Sequence, residues 1–139
     1  MLTLLPQIFF QPTKKFIDWA NNLNLTIVDC GAGMGHLSKC LDNVICIDMI
    51  PREGRDPCVL DMDALEFEHF GEKCVALLAR PCHGDWVQQV FRKALDKGSR
   101  VFYAGLPRNY DMDLDGCEVE KLMSDVGEEG EELWEIKRV

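Results

Sequence analysis

Two acids, a run of alternating glycines and a short thiol–imidazole pair are the residues of this 139-residue chain whose types and spacing could do chemistry. In Thr26-Ile27-Val28-Asp29-Cys30-Gly31-Ala32-Gly33-Met34-Gly35-His36 an apolar run ends in an acid and passes into a loop with glycine at every second position. A second apolar run, Val44-Ile45-Cys46-Ile47, ends in another acid, Asp48. Glycine lets a backbone approach a ligand closely with no Cβ in the way. A carboxylate closing the second strand is placed to accept both hydroxyls of a ribose. This is how a chain holds an adenosine-containing cofactor. Further along, Cys82, His83 and Asp85 bring a thiol, an imidazole and a carboxylate close together. An imidazole with an ordinary pKa of ~6.5 suits a general base at neutral pH. A thiol becomes a reactive thiolate where a cation such as Arg80 lowers its pKa. Trp86 could add a flat wall.

The glycine spacing selects among adenosine cofactors. The dinucleotide fingerprint G-x-G-x-x-G places its third glycine three positions after the second. His36 stands there, and the third glycine arrives one residue early, at Gly35. The resulting Asp-x-Gly-x-Gly-x-Gly resembles motif I of the class I S-adenosylmethionine (SAM) dependent methyltransferases. That resemblance implies that Asp29, Gly31, Gly33 and Gly35 face the methionine end of SAM and that Asp48 binds its ribose. It extends to the end of the third strand, where the family has an acid and an apolar residue against the adenine. Asp61 and Met62 stand at that place, with Asp63 the neighbouring acid, and Ala79 ends the fourth strand at the same cofactor. The resemblance covers about residues 25–106. A looser similarity joins Phe10–Trp19 to the helix preceding the SAM site in some nucleic-acid methyltransferases. Without the family, the same residues read as a glycine-rich turn in a βαβ unit and an acid that caps a helix.

The segment after the fourth strand bears on the acceptor. Enzymes that methylate amino groups of adenine or cytosine carry an Asp/Asn-Pro-Pro-aromatic loop at this point. Here Ala79-Arg80-Pro81-Cys82-His83-Gly84-Asp85-Trp86 keeps a proline and lacks the amide or acid. Pro81-Cys82 is similar to the nucleophile of cytosine-C5 enzymes, whose further motifs have no room in this chain. The candidate catalytic set is therefore His83, Cys82 and Asp85. The competing structural reading has His83 bonding the loop, Asp85 capping the next helix and Trp86 in the core. The 33 residues after position 106 leave space for one helix and one antiparallel strand, and for no recognition cap. A small molecule entering an open cleft, or an acceptor presented by a protein partner, is the expected substrate. Water exclusion favours such chemistry, and a homodimer could close the cleft. The alternatives are a non-catalytic SAM-binding module or subunit and, third, a nucleotide-binding oxidoreductase.

These residues need elements to position them. Pro12–Asn22 reads as a helix on the spacing of Phe16, Ile17, Trp19 and Ala20. Strands are expected at Leu25–Val28, Val44–Ile47, Cys58–Leu60, Lys73–Leu78, Arg100–Leu106 and Glu132–Lys137. Helices are expected at Gly33–Leu41, Asp61–Phe70, Gly84–Asp96 and Glu118–Ser124. The alternation gives an α/β fold, a Rossmann-like three-layer αβα sandwich whose mostly parallel sheet carries a C-terminal antiparallel strand. Residues 1–139 form one domain: an N-terminal arm and helix (1–24), a cofactor-binding core (25–106) and an acidic C-terminal helix and strand (107–139). Ligands of such sheets sit beyond the carboxyl ends of the strands, where the loops named above converge.

Composition supports these assignments. Hydrophobic residues make up 47% and charged residues 28%, as in soluble globular proteins. No apolar run approaches the ~18 residues of a transmembrane helix, and the apolar start lacks the flanks of a signal peptide, so a packed arm is expected. Seven cysteines without a C-x-x-C pair argue against a disulfide framework or zinc knuckle and for a reduced, cytoplasmic setting. Net charge is −9, and residues 111–135 hold eleven acids against the single base Lys121. Such a face repels a phosphate backbone, so free nucleic acid is disfavoured as a partner. A solvated surface is the favoured reading of that run.

Overall fold

The computed structural model describes residues 9–82, 84–106 and 112–139. The apolar runs become strands: β1 (Thr26–Cys30), β2 (Val44–Asp48), the two-residue β3 (Leu60–Asp61), β4 (Cys74–Ala79) and β5 (Arg100–Gly105). Two more follow, β6 (Cys117–Met123) and β7 (Glu132–Arg138), and the two α-helices are α1 (Lys14–Asn22) and α2 (Trp86–Asp96). The strands form one sheet in the order β3-β2-β1-β4-β5-β7-β6. β1 to β5 pair in parallel, whereas β7 is antiparallel to both β5 and β6. β6 therefore runs with the parallel set, and β7 is the reversed strand.

Alternation along the central strands divides the core into two layers. Ala76, Leu78, Val101 and Tyr103 face α2, whose Val87, Val90, Phe91 and Ala94 are buried against them. Val75, Leu77, Phe102 and Ala104 face α1, which inserts Phe16 and Ala20. Trp19 meets Phe102 edge to face at 4.8 Å. β4 is buried along its whole length, as a central parallel strand must be. Gly98, at φ 92°, ends α2 where the sequence places the stop. Among the described residues no helix is long and apolar enough to cross a membrane.

Three expected helices are corrected. The Gly33–Leu41 helix shrinks to a 3₁₀ turn, His36–Lys39, because positive φ at Gly33 and Gly35 prolongs the loop. The Asp61–Phe70 helix shrinks to Ala64–Glu66, where Phe67 turns to extended backbone so that Phe67 and Phe70 can reach the core. The Glu118–Ser124 helix is a strand, β6, so the C-terminal region is a strand pair rather than a helix and a strand. Cys117 and Val119 pack inward between outward Glu118 and Glu120, which is a period of two.

Truncating the fully buried Phe102 ring removes contacts with the α1 layer and leaves a cavity. Phe102→Ala should lower the unfolding free energy by about 3–5 kcal/mol, read as a fall in the urea midpoint.

Candidate adenosine-binding site

A cavity of about 610 Å³ opens at the carboxyl ends of the parallel strands. Its floor is the turn after β1. There the backbone adopts the left-handed region at Gly31 (φ 81°) and Gly33 (φ 61°). A Cβ on Gly31 would meet the Trp86 ring at 3.2 Å, and one on Gly33 would fall 2.5 Å from the Phe9 ring. The loop is thus closed over by two aromatic side chains far apart in the sequence, and glycine is what lets them in.

Asp48 ends β2, Asp29 stands one residue before the end of the neighbouring β1, and both are buried. Asp48 Oδ2 accepts from the Gly33 N–H and Oδ1 from the Ile50 N–H, each at 2.8 Å. Burial, reinforced by the charge of Asp48, raises the Asp29 carboxyl from its ordinary value to about 7. Asp48 thus engages both oxygens with backbone N–H groups, while Asp29 holds its proton up to about neutrality.

Of the residues expected from sequence, Asp29, Gly31, Gly33, Asp48, Met62, Ala79 and Cys82 line this cavity. Gly35 does not; it precedes the 3₁₀ turn and its carbonyl accepts from the Ser38 N–H and hydroxyl. Asp61 does not either. It lies exposed on β3 opposite Asp48, and the chain turns into the cavity only at Met62, so Asp63 takes the acid's place in the wall. Asp63 Oδ1 also accepts from the Leu65 N–H at 3.0 Å, capping the turn that follows. Asp85 is exposed outside the cavity, where its carboxylate accepts from the Gln88 amide at 3.4 Å. It precedes the first residue of α2 and does not line the cavity. His83 lies outside the described residues.

The opposite wall holds Arg80, Pro81, Cys82, Trp86, Tyr103 and Leu106. The exposed Cys82 turns its carbonyl to the Trp86 indole N–H at 3.1 Å, which fixes the loop against α2. Arg80 has φ 44°, a strained conformation for a residue with a side chain. Its guanidinium lies 4.0 Å from the fully buried Glu131. Burial raises the Tyr103 phenol above its ordinary range, against the opposing effect of Arg80, so the hydroxyl stays neutral. Gly105 makes room for that hydroxyl, which a Cβ there would overlap.

Phe9, Phe10, Arg52 and Tyr103 were not anticipated as site residues. Phe9 and Phe10 reach the cavity because the arm is stitched to the loop before β7. Thr13 N–H donates to Val126 and Glu128 N–H to Gln11, both at 2.9 Å, around a Pro12–Gly127 bridge. No local spacing announces that pairing. Tyr103 carried a signal, since it sits near the carboxyl end of a strand already placed beside the site.

Neither a family model nor a curated protein matches the sequence. Solved structures do match the fold. The magnesium protoporphyrin IX methyltransferase of Synechocystis, solved with bound SAM, is 13% identical, with a TM-score of 0.60 over 90% of this chain and 77% of its own. The 23S rRNA methyltransferase ErmE gives 14% and 0.59 over 94% and 70%. The 1,6-didemethyltoxoflavin-N1-methyltransferase of Burkholderia thailandensis, solved with its acceptor and S-adenosylhomocysteine, gives 11% and 0.53 over 90% and 76%. The chain has the class I methyltransferase fold.

The Asp29 proton has a consequence for stability. Its folded pKa of about 7 exceeds the ordinary carboxyl value of 3.8, so between those values the folded chain holds a proton that the unfolded chain has lost. Stability from this group is present at low pH and declines as pH rises toward 7. Asp29→Asn removes the decline. Urea unfolding at pH 5 and pH 8 should show the variant gaining on the parent by more than about 1 kcal/mol at the higher pH, since each pKa unit is worth ~1.4 kcal/mol.

Proposed function

We propose that this chain is a SAM-dependent methyltransferase acting on a small-molecule or partner-presented acceptor. The observation that carries this reading is one cavity combining a glycine cradle with a strand-ending carboxylate that already bonds the cradle's backbone. The residues present fit the cofactor. Gly31 and Gly33 keep the floor open to close approach, and Asp48 has further lone pairs for ribose hydroxyls. Met49 and Ile50 stand 59% and 44% exposed at the mouth, with Met62 also in the wall. Such exposed apolar side chains beside a cavity suit the faces of a purine, and Asp63 suits its exocyclic amine. Asp29 suits the positively charged amino-acid end.

When bound, SAM supplies a methyl group activated by the adjoining sulfonium. The chain's part is to align donor and acceptor, to exclude water and to take up a proton. Tyr103, kept neutral by burial, can orient an acceptor by hydrogen bonding. His83, next to the wall residue Cys82 in sequence, is the proposed base. The seven free thiols support a reducing, cytoplasmic setting.

The test is calorimetric titration with SAM, S-adenosylhomocysteine and NAD in parallel, followed by an acceptor screen with labelled SAM. Micromolar binding of the two adenosyl-sulfur ligands and none of NAD is expected, with a labelled product from at least one acceptor. Binding with no product from any acceptor would point to the non-catalytic module, and tighter binding of NAD would overturn the cofactor assignment. His83→Ala should keep affinity and lose turnover.

Proton linkage gives a sharper expectation. A cationic ligand beside Asp29 favours its carboxylate, so binding below about pH 7 should release a proton. SAM affinity should rise with pH to about 7 and then level off. At pH 6 the apparent binding enthalpy should depend on the buffer's ionisation enthalpy, and Asp29→Asn should abolish that dependence.

A further inference from the structure

We infer that Arg52 is the anion anchor of this cavity, receiving a carboxylate or phosphate carried by the adenosine ligand. The inference rests on the adenosine reading of the site and adds to it a residue that no spacing in the sequence marked.

Arg52 follows β2 by four residues and lines the cavity. Its guanidinium lies over the Phe9 ring, 4.9 Å from the centroid. Phe9 packs on Gly33 of the glycine loop and meets His36 edge to face at 6.1 Å. The guanidinium is therefore held above the loop by an aromatic platform. Its Nε is buried and makes no hydrogen bond. A buried N–H without an acceptor is costly, and in a cavity wall the missing acceptor is supplied by a ligand.

The neighbouring groups do not supply it. The Asp48 oxygens accept from the backbone N–H groups of Gly33 and Ile50, and neither bonds Arg52. Arg55, three residues on, donates to the carbonyls of Asp48 and Ile50 at 3.3 Å and so secures the turn. Its N–H also donates to the Arg52 carbonyl at 3.3 Å, which fixes the Arg52 backbone without engaging its side chain. Across the cavity, Arg80 is held against the buried Glu131. Arg52 has no ion pair with an acid among the described residues.

The planar guanidinium matches the two oxygens of a carboxylate or phosphate. Two parts of an adenosine ligand could present such a group: an amino-acid carboxylate at the 5′ end, or a phosphate on the ribose. Both share the same requirement, a half-buried cation in the cavity that Asp48 also lines, and the probes below separate them.

The experiment titrates the parent protein, Arg52→Gln and Arg52→Lys with four probes. S-adenosylhomocysteine is set against 5′-methylthioadenosine, which lacks the amino acid. Adenosine 2′,5′-bisphosphate is set against adenosine. With a carboxylate as the anion, Arg52→Gln should weaken S-adenosylhomocysteine at least tenfold, leave 5′-methylthioadenosine within twofold, and Arg52→Lys should recover part of the loss. With a ribose phosphate as the anion, the parent should prefer the bisphosphate to adenosine at least tenfold, and Arg52→Gln should lose that preference. Equal weakening of charged and uncharged probes, or no weakening of either charged probe, would overturn the role of Arg52 while leaving the adenosine site standing. Failure of the parent to bind any of the four would overturn the adenosine reading and this inference together. Unchanged circular dichroism of the variants separates loss of an anchor from loss of fold.

Discussion

The site depends on one carboxylate with two backbone donors. Asp48 accepts from Gly33 in the loop after β1 and from Ile50 in the turn after β2, so a single side chain sets the spacing of two cavity walls. Bonds from N–H groups to an ionised carboxylate are among the stronger hydrogen bonds in proteins. They fix the buried Asp48 side chain between the two loops. Its charge adds to the burial that holds the proton on Asp29. Asp48, fixed by two backbone N–H groups, thus stands beside an Asp29 that holds its proton up to about pH 7.

The sheet makes this economical. β1, β2 and β4 are parallel neighbours, so their carboxyl ends, and the loops leaving them, open on the same side. Apolar packing on both faces fixes the strands, with α2 against one layer and α1 against the other. The residues that touch a ligand can then be short and polar, because none of them has to hold the fold. Asp63 is an instance: it caps a three-residue turn with one oxygen and still stands in the cavity wall.

Much of this could be read from the residues, and the misses have physical causes. β1, β2, β4 and β5 were legible because buried parallel strands are unbroken apolar runs, and the glycine loop because its conformation demands glycine. The helix after β1 was overextended because Leu37 and Leu41 have helical spacing, yet positive φ at Gly35 delays the turn until His36. β6 differs from the expected helix because Cys117 and Val119 face inward with a period of two between exposed acids, a pattern too short to stand out in an acidic run. Asp61 and Asp63 differ by a register that local sequence does not encode; it is set by where β3 leaves the sheet edge. Phe9 and Arg52 were invisible because their role arises from the arm pairing with residues more than 100 positions away.

The acidic C-terminal run shows the same limit from another side. Read as composition it is a solvated face, and Glu118, Glu120 and Glu128 are indeed exposed. Glu131 and Glu135 are not. Glu135 takes a two-point grip from Arg100 across the β5–β7 pair, at 3.0 and 2.9 Å. Glu131 accepts from the Glu129 N–H at 2.9 Å and faces Arg80 at 4.0 Å. A buried carboxyl group gains from a cation nearby, so Glu131 gives Arg80 a reason to stay at the cavity wall despite its strained φ. The loop that carries Glu131 also carries Val126 and Gly127, which hold the arm that delivers Phe9 and Phe10. Two opposite walls of the cavity thus rest on one loop outside it. A change in that loop reaches both walls, through a charge on one side and a backbone ladder on the other, without touching a cavity residue.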